Sequence, residues 1–282
     1  MKYGFILVHE GEFRVTCMCR ALGVRRSGYY AWRKRGPSAR ELADEALVKP
    51  MREEFDHSRK TYGSPRLTVM LRRRGLSCGR HRVARIMRQE GMVACKPGRY
   101  HPQTTRREAG VEPAPNLLDQ DFKASAPNEK WVSDFTFIPT AQGWLYLAVV
   151  LDLYSRRVIG WAMSPRMDTE LVLAALRMAL DGRRPPAGLL HHSDQGSQYT
   201  SRVYLGCLKA AAAQLSMSGV GNCYDNAVVE SFFATLKTEC VTGVFASRAQ
   251  ARTTIFEYLE VWYNRERIHS TLGYVSPVDF EA

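Results

Sequence analysis

Three carboxylates far apart in the sequence are the side chains best suited to chemistry. Asp134 lies in the strand-like run WVSDFTFIPT, Asp194 in HHSDQGSQYT, and Glu230 in the helix-like run NCYDNAVVESFFATLKTE. Two aspartates carried by strands and a glutamate carried by a helix can meet around a pair of divalent ions. Such a pair activates an attacking oxygen and stabilises the leaving oxygen when a phosphodiester is transferred. The three acids therefore indicate metal-dependent phosphodiester chemistry.

Each acid taken alone also has an ordinary structural explanation. Asp134 alternates with Val132 and Thr136, as a surface residue on a half-exposed strand would. Asp194 shortly precedes a glycine, where aspartate commonly serves a turn, and a single helical glutamate such as Glu230 indicates nothing. The hypothesis depends on all three acids being brought together by the fold.

From residue 130 onward the sequence predicts alternating strands and helices. Short β-branched and aromatic runs bounded by turn residues predict the strands, and a spacing of three to four between apolar residues predicts the helices. We expect strands at 131–139, 144–152, 156–163, 188–192 and 215–217, and helices at 169–180, 200–213, around Glu230 and at 247–267. The order βββαβαβα predicts an α/β, ribonuclease-H-like fold. In this fold Asp134 lies within the first strand, Asp194 follows the fourth, and Glu230 sits on a helix that crosses the sheet.

The helix of Glu230 is amphipathic. Asn226 and Lys237 lie near the same face as Glu230, at offsets of four and seven residues, and the other side is apolar. Asp225 is placed to cap this helix. The acid should therefore project from the edge of the sheet while its helix is anchored in the core.

The charge of the chain is unevenly distributed. The chain has 40 basic and 28 acidic residues, a net charge of +12, and residues 1–110 alone carry 25 basic and 10 acidic side chains. A basic first part suits contact with phosphates, and a slightly acidic remainder suits the binding of metal ions. The composition favours a nucleic-acid partner over a merely solubilised surface.

The basic part contains two outlines of a helix-turn-helix. Residues 13–35 have the first, for which DNA contact and simple helical packing are both open. In residues 61–94 the pair Ser64-Pro65 predicts the start of a helix, and Ser77 the start of the next. Arginines on the polar side of this last helix fit phosphate and base contacts; they are Arg80, Arg82, Arg85 and Arg88.

A segment rich in proline and polar residues follows the helices. It spans residues 96–129, has no sustained periodicity, and is interpreted as a linker whose Leu117, Leu118 and Phe122 dock on the next domain. The expected domains are a helical unit at 1–50, a DNA-binding unit at 51–95, the linker at 96–129, the catalytic core at 130–245 and a helical segment at 246–282.

Neither membrane insertion nor a disulfide framework is expected. The most apolar run, LYLAVVLDLY, has the length of a strand and contains Asp152. The seven cysteines form no CxxC pair, and their odd number and scatter favour structural thiols in a reducing compartment. A metal site of Cys17, Cys19 and His9 is conceivable, but small buried side chains in a helix are the better interpretation.

Several motifs together resemble one known family. They are WVSDFT (131–136), YLAVVLDLYSR (146–156), HSDQGSQY (192–199), SMS (216–218), DNAVVESFFATLKTE (225–239) and YNRERIHSTLGY (263–274). The chain resembles the second-reading-frame (OrfB) transposases of bacterial insertion sequences, whose catalytic domain, called an rve or DDE domain, belongs to the retroviral-integrase superfamily. The resemblance covers nearly the whole chain, including the arginine-rich helices at 61–94.

The resemblance implies a mechanism and a set of residues. Asp134, Asp194 and Glu230 match the catalytic, metal-binding triad, and Lys237 matches a basic residue near the DNA ends. The family uses Mg²⁺ to cut double-stranded DNA at the element ends and joins the freed 3′-hydroxyl to a second strand; two ions are expected, and Mn²⁺ could replace Mg²⁺. A homo-oligomer on DNA, an OrfA-type partner or fusion, and a cytoplasmic, nucleoid-associated location in bacteria are also implied.

Other polar residues near the triad are weaker candidates. Gln198, Tyr199 and Asn226 are possible DNA contacts, and His192 could position DNA or support the metal site, since oxygen ligands suit Mg²⁺ better than imidazole. Asp152 is more readily explained as a structural residue than as a fourth acid.

Two other functions remain open from the sequence. A nuclease of the same fold would hydrolyse nucleic acid without joining strands, although paired helix-turn-helix units favour sequence-dependent binding. A DNA-binding regulator with an inert catalytic domain is the other alternative, against which the complete triad argues.

Overall fold

The computed structural model describes residues 2–95, 114–219 and 223–282. Its first part is helical, with α1 at Lys2–Val8, α2 at Val15–Ala21, α3 at Arg26–Lys34, α4 at Ala39–His57, α5 at Ser64–Arg73 and α6 at Arg80–Gln89. Helices α1 to α3 enclose a small core of their own, made by Ile6, Met18, Cys19 and Tyr29. The two short helices predicted within 13–35 are confirmed.

Helix α4 crosses the predicted domain boundary at residue 50. It begins with a capping box in which the Ser38 hydroxyl accepts the backbone N–H of Glu41 and the Glu41 carboxylate accepts that of Ser38. The helix then continues through Pro50 to His57. Its buried residues Leu47, Met51 and Phe55 pack in the same core as α5 and α6. The sequence prediction missed this helix, and the unit containing α5 and α6 begins before residue 51.

Helices α5 and α6 form the predicted pair. Gly75 and Gly91, with φ of +78° and +65°, follow the two helices in a left-handed conformation that glycine adopts without steric cost. Helix α5 begins at Ser64 with Gly63 as its N-cap, so Ser64 is its first residue rather than the predicted cap. Helix α6 begins at Arg80, three residues later than Ser77 suggested.

The second part of the chain is built on one mixed sheet of five strands. They are β1 at Lys130–Thr140, β2 at Gly143–Asp152, β3 at Val158–Ser164, β4 at Leu190–Ser193 and β5 at Gln214–Met217. The order across the sheet is β3-β2-β1-β4-β5; β1 pairs antiparallel with β2 and parallel with β4. This is the strand order of a ribonuclease-H-like fold, as the sequence predicted.

Helices cover both faces of this sheet. One face packs on α7 (Thr169–Arg183) and α8 (Arg202–Ala210), around Trp131, Leu176 and Tyr204. Helix α7 lies so close to β3 that a Cβ on Gly160 would be 2.2 Å from the carbonyl oxygen of Ala175. The opposite face carries the helix of Glu230, α9, at Ala227–Glu239.

The chain ends in helices that join its two parts. Helix α10 (Arg248–Glu257) continues into a π-helix at Tyr258–Glu266, and α11 lies at Pro277–Glu281. Tyr258, Leu259 and Trp262 belong to a core cluster that contains residues of α4 to α6, of the sheet and of α9. Leu118 is also buried in this cluster, with Phe122 packed against it, whereas Leu117 is exposed. The predicted docking is therefore confirmed for two of the three linker residues, and residues 96–113 of that linker lie outside the described residues.

Within the described parts of the chain, no helix is both long enough and apolar enough to cross a membrane.

Candidate active site

The sheet places Asp134 and Asp194 next to each other. Strands β1 and β4 run parallel with Ser133 paired to Ser193, so each aspartate directly follows a paired residue. Neighbouring strands lie about 4.8 Å apart. Two residues 60 positions apart in the sequence thus occupy adjacent positions at the end of β4.

Side chains of β1 alternate between the two faces of the sheet, and this alternation sets the face on which Asp134 lies. Val132 and Ile138 belong to the core on the α9 side, whereas Trp131 belongs to the core on the α7 side. Because successive side chains of a strand point to opposite faces, Asp134 faces the same side as Val132. Helix α9, which carries Glu230, packs against β1 on that side.

The environment of Asp134 opposes its negative charge. Burial raises the pKa of the Asp134 carboxyl well above its usual range, the negative charge of Asp194 raises it further, and Glu230 adds a smaller effect. A hydrogen bond of 2.7 Å from the Phe135 N–H to Oδ1 acts in the opposite direction. The structure therefore brings the three acids predicted from the sequence into one electrostatic site.

Helix α9 presents Glu230 from an apolar base. Val229, Phe232, Phe233 and Leu236 are buried, whereas Glu230 is half-buried in the first turn. Burial raises the pKa of Glu230. The glutamate is consequently fixed at the N-terminal end of a helix that is itself anchored in the core.

Lys237 completes the charged group. Partial burial lowers the pKa of the Lys237 ammonium, and the charge of Asp134 raises it; Lys237 in turn lowers the pKa of Asp134. Seven residues of helix separate Lys237 from Glu230, or about 10 Å along the axis. The cation thus lies within electrostatic range of the acids.

The donor set fits a hard divalent cation. All three acids offer oxygen, the ligand atom that Mg²⁺ prefers. Burial and then the charge of Asp194 raise the pKa of Asp134, and a bound cation would offset both effects. Across residues 2–95, 114–219 and 223–282, no three His, Cys, Asp or Glu side chains are already arranged to hold one ion. The fit thus rests on donor chemistry and charge.

His192 is a buried residue of β4. It is fully buried, with Nδ1 2.8 Å from Ser216 Oγ and Nε2 3.0 Å from Ser218 Oγ, and burial lowers its pKa to about 4. This burial is incompatible with a direct contact to DNA, whereas the expected role in supporting the metal site stays a prediction. The neutral imidazole of His192 instead links β4 to Ser216 of β5 and to Ser218, which follows β5.

Tyr199, Gln198 and Asn226 are also buried, which excludes direct contacts to DNA in this conformation. Tyr199 packs on Phe135, and its hydroxyl has no hydrogen-bond partner among the described residues. Burial, and then the charge of Asp134, raise the pKa of Tyr199. Of the three, Tyr199 lies within electrostatic range of Asp134 and Asp194.

Asp152 and Asp225 hold the fold together. Asp152 is completely buried, and its carboxylate accepts the N–H groups of Asn128 and Tyr154 and a bond from Arg183. This confirms the structural interpretation of Asp152.

The Asp225 carboxylate accepts hydrogen bonds from the side chains of Asn116 and Gln120 and from the N–H of Gly219. Asn226, rather than Asp225, is the N-cap residue of α9, and it makes no side-chain capping bond. Asp225 thus ties the start of α9 to the segment that precedes β1.

The arginines of α6 differ in their surroundings. Arg80 and Arg88 are exposed, whereas Arg82 and Arg85 both donate to the carboxylate of Asp44. Asp44 was missed in the sequence because its helix was missed; the Ser38-x-x-Glu41 capping pattern is the signal that marks the start of α4.

Family models match three parts of the chain. A helix-turn-helix-like domain matches residues 41–100, and two models described as integrase core domains match residues 124–223 and 230–282. The first match includes nearly all of α4, and the other two contain the three acids.

Similarity to known proteins extends over the full length. The chain is 46% identical to the transposase InsF of insertion sequence IS3A from Escherichia coli K12, over 100% of this chain and 98% of that protein. It belongs to this family of insertion-sequence transposases. The protein is thus a DNA transposase of the DDE type, a polynucleotidyl transferase with an integrase core and a DNA-binding helix-turn-helix-like domain.

Other relatives resemble this transposase as well. An uncharacterized 31 kDa protein of insertion element IS600 from Shigella sonnei is 46% identical over 93% of the transposase and 97% of that protein.

Two solved structures are also similar. The simian T-cell lymphotropic virus intasome in complex with the PP2A regulatory subunit B56 gamma contains a chain that is 16% identical, with a TM-score of 0.48 over 81% of this chain and 72% of that one. The HTLV-2 integrase catalytic core domain in complex with magnesium is 15% identical, with a TM-score of 0.42 over 57% of this chain and 100% of that one.

Proposed function

We propose that Asp134, Asp194 and Glu230 are the catalytic carboxylates of this transposase and that they hold two divalent ions, Mg²⁺ or Mn²⁺. The parallel pairing of Ser133 with Ser193 is the observation that carries the assignment, since it sets both aspartates side by side below α9. The electrostatic influence of Asp194 and Glu230 on Asp134 supports it.

The ions would supply the charge that activates the attacking oxygen and stabilises the leaving oxygen. The carboxylates of the chain hold this charge in a half-buried site, where electrostatic interactions are stronger than in water. Lys237 binds a phosphate beside the scissile bond, because its ammonium lies about two helical turns from Glu230.

DNA recognition resides in the basic N-terminal part. Arg80 and Arg88 are exposed on α6 and are assigned to phosphates, whose neutralisation makes binding strongly dependent on salt. The substrates are the terminal repeats of an insertion element and its target duplex, in the bacterial cytoplasm. Coupled processing of two ends requires a homo-oligomer on DNA, and an OrfA-type chain is a proposed partner or fusion.

The assignment is tested by removing charge while keeping shape. Asp134→Asn, Asp194→Asn and Glu230→Gln should each abolish cleavage and joining of duplexes that carry the genomic flanks of the gene. The affinity of these variants for the duplex should change little, because the basic helices are untouched. Double variants should lose no more activity than single ones, since the three residues act as one unit.

Asp181→Asn is the matched control, because Asp181 is an exposed aspartate of α7; its strand transfer should equal that of the unchanged protein. Near-normal joining by any of the three amide variants in Mg²⁺ would remove that residue from the triad. Nicking without strand transfer in the unchanged protein would favour a nuclease, and metal-independent binding without any cleavage would favour a regulator.

A further inference from the structure

Asp44 of α4 holds two arginines of α6. Its Oδ1 accepts a hydrogen bond of 2.6 Å from Arg82 Nε, and its Oδ2 accepts one of 2.6 Å from Arg85 Nη2. The side chain of Asp44 is 15% exposed, whereas those of Arg82 and Arg85 are 29% and 32% exposed. Hydrogen bonds from Arg85 and then Arg82 lower the pKa of Asp44, so the carboxylate is ionised at neutral pH.

The guanidinium groups of Arg82 and Arg85 differ in which of their nitrogens can still bind a ligand. Arg85 also donates to Gln89 Oε1 at 2.9 Å, so two of its nitrogens are occupied. Arg82 is held through Nε, and within the described residues no hydrogen bond involves its terminal nitrogens. The two terminal nitrogens of Arg82 form a planar fork, and the Asp44 carboxylate bound to Nε fixes its orientation.

An open pocket of about 530 Å³ adjoins this fork. Its walls come from α6 and from the first half of α4: Arg40, Ala43, His81, Arg82 and Arg85. In a helix-turn-helix, N-terminal residues of the second helix contact base edges in the major groove. The pocket therefore lies where such a helix meets a base pair.

The charge of Asp44 favours a base over a phosphate as the DNA group that Arg82 binds. A carboxylate beside two arginines cancels half of their charge and repels a phosphate, so it weakens general attraction to DNA. It does not weaken a directed pair of hydrogen bonds from Arg82 to a neutral acceptor. Guanine offers two such acceptors, O6 and N7, spaced for an arginine fork.

We propose that the pocket between α4 and α6 reads a guanine of the bound duplex through Arg82, and that Asp44 is the positioning residue that aims this side chain. The inference rests on the DNA recognition proposed above and adds the base class that is read. Asp44 also lowers affinity for unrelated DNA, because it offsets positive charge without contacting the duplex.

The test selects binding sites with the full chain from a random duplex library and then measures affinities for the selected and the unselected duplexes. The variants are Arg82→Ala, Arg82→Lys and Asp44→Asn. Glu45→Gln is the matched control, since it removes the same charge from the neighbouring, exposed position of α4. Circular dichroism establishes that each variant is folded.

The unchanged chain and Glu45→Gln should both select a motif with a fixed guanine. Arg82→Ala should lose preference at that one position by about tenfold or more, since a bidentate pair discriminates by roughly that factor or better. Arg82→Lys should lose part of this preference, because a lysine ammonium keeps the charge but lacks the planar fork. Asp44→Asn should bind unselected duplexes more tightly than Glu45→Gln does, and should also lose preference at the same guanine. The lysine variant keeps the positive charge, so it tests the fork even where Asp44→Asn fails to fold.

Three results would overturn the proposal. Uniform gains in affinity with an unchanged motif in Asp44→Asn would assign the arginines to phosphates. Unchanged motifs in both Arg82 variants would leave Asp44 as a clamp between helices. Selection of no motif by the unchanged chain would remove base reading altogether. Asp134→Asn is selected in parallel, because an intact motif in that inactive variant separates a failure of DNA reading from a failure of the catalytic assignment.

Discussion

Asp134 occupies a site that opposes the ionisation of its own carboxyl. Its carboxyl is half-buried and faces two other acids, so its raised pKa means that ionisation opposes folding when no cation is bound. A carboxyl with a raised folded pKa contributes most below its unfolded pKa of about 4, and this contribution is lost as pH rises through the raised value. The metal-free protein at neutral pH therefore carries a cost of ionisation that it does not carry near pH 4.

Asp134→Asn should raise the melting temperature of the metal-free protein at pH 7.5. The amide keeps an oxygen for the Phe135 N–H but removes the charge. A relief of about 1 kcal/mol would give roughly 2 to 4 °C in a chain of this size. The gain should disappear as pH falls toward 4, because the native carboxyl is then protonated. Scanning calorimetry in a chelator, from pH 4 to 8, measures it.

Asp181→Asn again serves as control and should show no such pH-dependent gain. Adding Mg²⁺ should raise the melting temperature of the unchanged protein but not that of Asp134→Asn, because only a folded state that binds the ion is stabilised. An Asp134→Asn protein that melts below the unchanged chain at pH 7.5 would contradict this account of the site.

At the scale of elements, the sequence predicted the strands that alternating apolar residues mark and the helix ends that glycines mark. Strand β1 was placed to within one residue at each end because apolar and polar residues alternate along it, and α5 and α6 end at glycines that adopt positive φ. The three acids were predicted from their joint pattern and the predicted fold, since each acid alone has an ordinary structural explanation. Helix α4 was missed, since Pro50 interrupts its pattern although the helix continues through it.

Tertiary contacts determine the positions of the residues whose burial the sequence did not predict. His192 and Tyr199 are polar residues beside Asp194, and a linear sequence does not reveal that both point into the core. The role of Asp44 depends on α4 lying against α6, which no spacing within one helix encodes. Polar residues near a motif are therefore weaker predictions than the motif itself.

The C-terminal end of α9 is fixed by a buried ion pair. Arg267 donates to both carboxylate oxygens of Glu239, at 2.8 and 2.9 Å, and the two side chains are 7% and 5% exposed. Tyr258 Oη and Trp262 Nε1 also donate to Glu239. Glu239 follows Lys237 by two residues, so this network fixes the end of the helix that carries the proposed phosphate contact.

Arg267→Met should lower the free energy of unfolding by about 3 to 5 kcal/mol, because it leaves a buried carboxylate without its cation. Glu239→Gln added to Arg267→Met should recover part of this loss, since a neutral amide still accepts from Tyr258 and Trp262. Urea unfolding of the single and double variants gives both values.

The matched control is Arg177→Met, which breaks an ion pair with Glu170 whose side chains are 53% and 69% exposed. Such surface pairs contribute little, so the unfolding free energy should hardly change. An Arg267→Met protein as stable as the Arg177→Met protein would mean that the Glu239 carboxylate is not held as the structure indicates.

At the scale of the whole molecule, α4 to α6 share one hydrophobic core with the sheet and α9. Tyr62, which precedes α5, accepts the N–H of Ile268 at 2.8 Å and lies against the ring of Trp262. Arg73 donates to the carbonyl of Tyr274 at 2.7 Å. The helices that we propose bind the duplex are thereby fixed relative to the acids, whereas α1 to α3 enclose a separate small core.

Truncation should show that α4 to α6 contribute to the stability of the main core and that α1 to α3 do not. Removing residues 1–36 should leave the main thermal transition of the remaining chain within about 2 °C, because the core of α1 to α3 is lost as a unit. Removing residues 1–95 uncovers side chains such as Trp262 and Leu259, which are 4% and 0% exposed in the full chain. Burial of one such side chain contributes about 1.5 to 3 kcal/mol, so this transition should fall by at least about 5 °C.

Circular dichroism at increasing temperature measures both truncations, and tryptophan fluorescence follows the sheet and the π-helix together. The shorter truncation is the control for the longer one, since it also shortens the chain and removes basic charge. Equal melting temperatures for both truncated chains would mean that α4 to α6 fold independently of the catalytic core. A lower transition only in the chain that lacks residues 1–95 would establish that the C-terminal helices bind the two parts into one cooperative unit.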